Sequence, residues 1–260
     1  MILAIDCGNA HIAFGCMDEK TLAPVQGSTV FRIPTDRAET DFGYTVKIRQ
    51  VLEIHKIQPE KIGGAVISCV VPPLTAVLSR AVRMMIGQDA LIVGAGVKTG
   101  LHICINDPGT LASDLVATAV AAKEEYPLPC VIVDLGTATT ITMVDGQGRY
   151  IGGAILPGTG ISLNALSETT SLLPYIEMQT PARVIGSNTV DAMKSGILYG
   201  SAGAIDGILE RMEKERGEQP ASIVATGGLS GKVCPLCTHS MTVDPTLLLR
   251  GLVRIYNKNR

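Results

Sequence analysis

Cys130-Val131-Ile132-Val133-Asp134-Leu135-Gly136-Thr137-Ala138-Thr139-Thr140-Ile141-Thr142-Met143-Val144 is a β-rich run interrupted once, at Asp-Leu-Gly-Thr. Apolar residues end on a carboxylate and a glycine opens the backbone. A second run, rich in Thr, then leads to Asp145-Gly146, a dipeptide suited to a hairpin turn. The start of the chain repeats this design. Ile2-Leu3-Ala4-Ile5 ends at Asp6-Cys7-Gly8-Asn9, and Ile12-Ala13-Phe14-Gly15 follows, up to Met17-Asp18. Each copy is strand, Asp-x-Gly-(Asn or Thr), strand. A recurrence this far along the chain signals duplicated domains. The boundary is expected near residues 115–130, with domains at 1–115 and 116–260.

The remaining pattern alternates. Helices are expected over 40–56, 74–85, 111–125, 190–216 (capped by Asn188 or Thr189) and 245–257. Strands are expected over 64–71 (stopped by Pro72-Pro73), 90–93 and 222–225, with Gly152-Gly153 also in a strand. Strands interleaved with helices predict an α/β class with mixed sheets. The expected architecture is two α/β domains flanking a nucleotide cleft.

Bulk properties narrow the function. The chain has 260 residues, 46% of them hydrophobic and 18% charged, with 22 Lys plus Arg against 24 Asp plus Glu. This balance, with 3% aromatics and no Trp, argues against a nucleic-acid partner. Mean hydropathy is +0.31, yet no apolar run reaches the ~18 residues of a membrane span. The excess fits buried parallel strands or a subunit interface. The opening segment lacks a basic start and a long apolar stretch, so no signal peptide is expected and a cytoplasmic setting follows. The 7 cysteines, odd in number and mostly within apolar runs, read as reduced thiols. Cys234-Pro-Leu-Cys237 with His239 invites a metal reading, but a structural zinc site takes four ligands and no second pair exists.

The two hairpins carry chemistry. A carboxylate at a strand tip can orient a hydrated Mg²⁺, and the following glycine lets phosphate oxygens reach backbone N–H groups. A single Asp-x-Gly more often marks only a turn; two copies, each between strands, favour phosphate binding. Thr137, Thr139 and Thr140 add hydroxyls to the second tip, although Thr also simply suits a strand. Gly152-Gly153-Ala154-Ile155-Leu156-Pro157-Gly158 and Thr226-Gly227-Gly228 are further places where a ligand could approach bare backbone, or ordinary turns.

Taken in order, Asp6-x-Gly8-Asn9, Asp134-Leu135-Gly136-Thr137-Ala138-Thr139-Thr140, Gly152-Gly153-x-Ile155-x-Pro157-Gly158 and Thr226-Gly227-Gly228 resemble the type III pantothenate kinases across nearly the whole chain. The resemblance implies a duplicated actin-like/hexokinase-type (ribonuclease H-like) ATPase fold and a homodimer. It also implies ATP with Mg²⁺ and a monovalent cation such as K⁺ or NH₄⁺. By the same resemblance Asp6, Cys7, Gly8, Asn9, Ala10, His11, Ile12 and Ala13 line the ATP phosphates, and Asp6 holds Mg²⁺ through water. Asp134 holds the monovalent cation, Thr137 contacts ATP and Thr189 contacts the acceptor.

Asp114 is the implied catalytic base, within an acceptor-binding stretch of Ala112, Ser113, Asp114 and Leu115. Read from the residues alone, Asp114 better suits the N-terminus of a helix, as a partner of its dipole or a cap in competition with Ser113. The family's Gly-Ala-Asp-Arg is here Ala112-Ser113-Asp114-Leu115, so the Arg credited with gripping the substrate is Leu115. Ile105 stands near a family Tyr. Losing a guanidinium contact costs about 1.5–3 kcal/mol. His102 or Lys98 could supply a compensating cation, although nothing in their spacing points to it. The implied reaction is phosphorylation of pantothenate, the first step of coenzyme A synthesis. The alternatives are a divergent kinase of another small hydroxyl compound and a nucleotide-binding accessory protein.

Overall fold

In a computed structural model of the chain, which describes residues 1–25 and 30–260, both Asp-x-Gly motifs join antiparallel strands. The first lies between β1 (Ile2–Cys7) and β2 (His11–Met17), with Asp6 opposite Ala13. β3 (Phe31–Pro34) pairs antiparallel with β2. After α1 (Asp41–Ile54), β4 (Gly64–Cys69) lies parallel to β1 on its other side. After α2 (Pro72–Ile86), β5 (Leu91–Ile92) pairs parallel with β4, completing the order β3-β2-β1-β4-β5. A short strand β6 (His102–Ile103) precedes α3 (Ser113–Glu125). Pro72 and Pro73 end β4 as expected and also open α2, where a missing N–H is no loss.

The second copy reproduces this plan. β7 (Cys130–Leu135) and β8 (Ala138–Val144) form its hairpin, with Asp134 opposite Thr140. β9 (Arg149–Pro157) pairs antiparallel with β8. α4 (Thr159–Thr169) and α5 (Thr189–Arg216) come next, and β10 (Ser222–Thr226) lies parallel to β7. α6 (Ser230–Val233) precedes β11 (Thr242–Val243), which pairs parallel with β10. Within this unit the order is β11-β10-β7-β8-β9, strand for strand that of β5-β4-β1-β2-β3. The last helix is α7 (Leu247–Lys258).

The chain divides into Met1–Glu125 with Thr246–Arg260, and Tyr126–Pro245. The division expected at 115/116 falls inside α3, and α7 returns to the first unit. The reason is local. Arg250 and Arg254 of α7 both bond Glu125, and Arg254 also bonds Glu124. Gly251 lies so close to α3 that a Cβ there would sit 1.9 Å from the Ala117 carbonyl oxygen.

In the first unit one sheet face packs Leu3, Ile5 and Ile67 against Tyr44, Ile48 and Leu52 of α1 and Leu74 and Leu78 of α2. In the second, Val131, Val133 and Ile141 pack against Leu198, Ala202, Ile205 and Leu209 of α5. Asn188, rather than Thr189, caps α5, its Oδ1 accepting from Asp191 N at 2.9 Å. No helix among the described residues is long and apolar enough to cross a membrane.

Gly251→Ala is expected to lower stability by about 1–3 kcal/mol, the cost of overpacking a tight contact. A melting temperature within a degree of wild type would show that α3 and α7 are not held this closely.

Candidate active site

In the first unit the site starts from the turn between β1 and β2. Gly8 N donates to His11 O at 3.0 Å. The turn is braced from the end of β3, where Thr35 Oγ1 donates to Gly8 O at 2.7 Å and Thr35 N to Ala10 O at 3.0 Å. Arg37 Nη2 donates to Asn9 Oδ1 at 3.1 Å. Asn9, Ala10 and His11 are exposed, Asp6, Gly8 and Ala13 partly so. Cys7 and Ile12 are wholly buried. Their side chains belong to the core, and anything they offer a ligand is backbone.

From Asp6 a polar path crosses the sheet. Its register partner on β4 is Ser68, which is fully buried. Ser68 Oγ lies 2.9 Å from Oγ of Ser113, the first residue of α3. Asp114 follows, its Oδ1 accepting from Leu115 N at 2.8 Å. Burial pushes the Asp114 carboxyl up from its ordinary value, against the opposing pull of the Leu115 and Asp114 N–H groups. A helix-start carboxylate serving only the helix dipole would be shifted down; the shift here has the opposite direction. Ala112 and Leu115 are partly buried on either side of this turn. His102 and Lys98 are exposed, and Lys98 uses its backbone N–H and C=O to hold the Asn259 side chain.

The second unit builds a different tip on the same plan. Asp134, partly buried near the end of β7, has register partners Thr140 on β8 and Thr226 on β10. Two glycines distant in sequence close on this turn. A Cβ on Gly158 would lie 2.1 Å from Thr137 O. One on Gly227 would lie 2.6 Å from both Asp134 Oδ1 and Leu135 O, and Gly227 has φ +91°. The separate glycine motifs are therefore one cradle whose walls are backbone. The hydroxyls of Thr140 and Thr159 border it, buried and with no hydrogen-bond partner among the described residues. Orphaned hydroxyls beside bare backbone suit a ligand rich in oxygen atoms. Thr137 is exposed at the tip, whereas Thr139 is buried; Thr189 is exposed at the start of α5.

Cys234 and Cys237 of the Cys-x-x-Cys motif pack in the core of the second unit. Asp206 of α5 accepts from Thr238 N at 2.7 Å and His239 N at 3.1 Å, and lies 2.7 Å from His239 Nδ1. Burial pushes the Cys234 and Cys237 thiols up. No cluster of three metal-ligating side chains occurs among the described residues. Thr35 and Arg37 were missed in the sequence because their role depends on the pairing of β2 with the four-residue β3. Ser68 was missed because its partner, Ser113, is far along the chain.

Known proteins are similar to this chain in sequence. A family model for type III pantothenate kinase matches residues 2–211. A type III pantothenate kinase of Moorella thermoacetica is 39% identical over 259 residues, covering 100% of both chains. One of Brevibacillus brevis is 40% identical over 260 residues, with the same coverage.

The chain belongs to the type III pantothenate kinase family.

Solved structures agree on the fold. A structure described as a Baf family transcriptional activator from Campylobacter jejuni superposes with a TM-score of 0.59 at 20% identity, covering 99% of this chain and 98% of that one. An N-acetylmannosamine kinase from Listeria monocytogenes gives 0.54 at 11%, covering 100% and 99%. The duplicated actin-like/hexokinase-type fold expected from the sequence is thus that of the protein.

Gly227→Ala is expected to lower the melting temperature by several degrees through overpacking costing about 1–3 kcal/mol. Gly228→Ala, where a Cβ meets nothing within 4 Å, should leave it unchanged; equal effects would remove the cradle.

Proposed function

We propose that this type III pantothenate kinase transfers the γ-phosphoryl group of ATP to the primary hydroxyl of pantothenate, the first step of coenzyme A synthesis, with Asp114 as catalytic base. The observation that carries the reading is the raised, partly buried Asp114 carboxyl, linked through Ser113 and Ser68 to the strand beside Asp6. Asp114 accepts the acceptor hydroxyl's proton as that oxygen meets the phosphorus, and Ser113 holds the helix start in place. The Gly8–His11 backbone and the Thr137 tip bind phosphate oxygens, with Asp6, Cys7, Ile12 and Ala13 setting the turn's position. Asp6 would hold Mg²⁺ through water, which supplies charge neutralisation to the phosphates. Asp134 and the neighbouring Leu135 carbonyl offer hard oxygen donors of the kind a monovalent cation such as K⁺ or NH₄⁺ takes. Ala112 and Leu115, beside the base, are assigned to the acceptor, and Thr189 is assigned to it by the family resemblance alone. The seven cysteines are all free thiols, in keeping with a reducing, cytoplasmic setting.

A homodimer is part of this reading. The second unit exposes Ile155, Leu172, Tyr175, Val184 and Ile185, with Leu172 at 90% and Ile185 at 87%. That much apolar surface outside any core supports a subunit contact.

Asp114→Asn tests the base. Turnover should fall by about 10²–10⁴-fold while ATP affinity is kept; near-normal turnover would remove Asp114 from the chemistry. In wild type kcat/KM should be lost as pH falls through a value above the ordinary carboxylate range, since the base must be ionised. The stability effect has the opposite sign. A carboxyl raised on folding favours the neutral form, so its contribution is present at low pH and lost as pH rises through the folded pKa. At neutral pH the Asn variant should therefore melt higher than wild type.

Leu115 supports a second reading, a kinase for a small alcohol without a carboxylate. ADP release measured across pantothenate and neutral alcohols separates the two. If pantothenate is the acceptor, Leu115→Arg should tighten its KM by about 10- to 100-fold; an unchanged KM would mark a pocket re-specialised for another alcohol.

A further inference from the structure

Cys7 and Cys69 are the last residues of β1 and β4 and are register partners in a parallel pair. Neighbouring strands lie about 4.8 Å apart, inside the Cα separation a disulfide spans. Val70 N donates to Cys7 O at 3.0 Å, so the ladder continues past this pair and keeps the two side chains on one face. The thiols are chemically unequal. Cys7 is wholly buried, whereas Cys69 is partly open to solvent. The Cys69 Sγ lies 3.2 Å from Val71 O, at the strand end. One sulfur that solvent reaches, next to one that it does not, is the arrangement of an attacking and a resolving thiol.

We propose that Cys7 and Cys69 form a reversible dithiol–disulfide modification site that hydroperoxides oxidise, and that the cross-link turns off the phosphate turn. The Cys69 thiolate attacks one oxygen of hydrogen peroxide. The O–O bond breaks, hydroxide leaves and takes up a proton as water, and Cys69 becomes a sulfenic acid. The Cys7 sulfur then attacks the Cys69 sulfur; the S–O bond breaks and hydroxide leaves with the Cys7 proton as a second water. Two thiols lose two electrons and the peroxide gains them. Closing the bond requires the Cβ atoms to approach to about 3.8 Å, closer than the strand spacing leaves them. The adjustment falls on the strand ends, where Cys7 runs directly into Gly8. A displaced Gly8 turn loses its aim at phosphate, and a cross-link bent in this way is readily reduced.

The effect on turnover rests on the kinase reading; the formation of the bond does not. Full-length protein is treated with hydrogen peroxide, digested without reductant and mapped by mass, while ADP release and ATP affinity are followed. A Cys7–Cys69 linked peptide, lighter by two hydrogen atoms, should appear as turnover falls by about 10- to 100-fold, and dithiothreitol should restore both. Cys69→Ala should keep its turnover through the treatment, and Cys104→Ser, which removes the exposed thiol, should remain as sensitive as wild type. Absence of the linked peptide, a linked form with full turnover and ATP affinity, or equal inactivation of Cys69→Ala would each overturn the proposal. If untreated protein turns over no alcohol, the kinase reading fails. The site is then decided by whether the linked peptide forms and whether its formation weakens ATP binding.

Discussion

Each unit rests on a central strand whose side chains are buried except for one carboxylate next to its end. β1 buries Ile2, Leu3, Ala4, Ile5 and Cys7 and leaves Asp6 partly open; β7 buries Cys130, Val131, Ile132, Val133 and Leu135 and leaves Asp134 partly open. A carboxylate is tolerated at the rim of a core only where hydrogen bonds or a counter-charge meet it. The strand must therefore end beside polar backbone, and the glycine two residues on exposes that backbone. The requirement to keep a charge out of the core thus produces an oxygen-binding turn. Duplicating the strand order duplicates that turn.

Positioning of the proposed base depends on helix packing far from it. α3 carries Asp114 at one end and Glu124 and Glu125 at the other. The Glu end is tied to Arg250 and Arg254 of α7, and the middle is set by the approach of Gly251 to Ala117. The Ser68–Ser113 hydrogen bond fixes the remaining end to the sheet. With both ends and the centre held, Asp114 has little freedom to turn toward solvent, which is the condition under which burial raises its pKa.

What the sequence displays and what it conceals divide by range. The Asp-x-Gly hairpins are local, so the apolar runs of β1, β2, β7 and β8 and the carboxylates between them could be read directly. Asn188 at the start of α5 was likewise a local cap. α4 gave no signal because Ile161 and Leu166 lie on its exposed side, which spoils the apolar stripe expected of a packed helix. The return of α7 to the first unit, the Ser68–Ser113 bond and the pairing of Cys7 with Cys69 all join distant segments. No periodicity within a segment could show them. Gly158 and Gly227 were visible as turn residues, but their convergence on the Asp134–Thr137 turn follows only from the pairing of β8 with β7 and β9 and of β10 with β7.

The two tips share a register and differ in what the parallel neighbour supplies. Opposite Asp6 that strand offers Ser68, whose hydroxyl continues outward to Ser113 and the base. Opposite Asp134 it offers Thr226, and the chain turns at once through Gly227 against the carboxylate itself. A hydroxyl that leads to a helix can position a proton acceptor. A glycine at the same place removes side chain so that oxygen-rich ligands meet backbone. One substitution class at one topological position is thus enough to give the copies unlike surroundings: a hydroxyl path to a helix start in the first unit and bare backbone against a carboxylate in the second. Leu115 follows Asp114 at the start of α3, so under the proposed kinase reading its departure from the family pattern bears on which alcohol is phosphorylated.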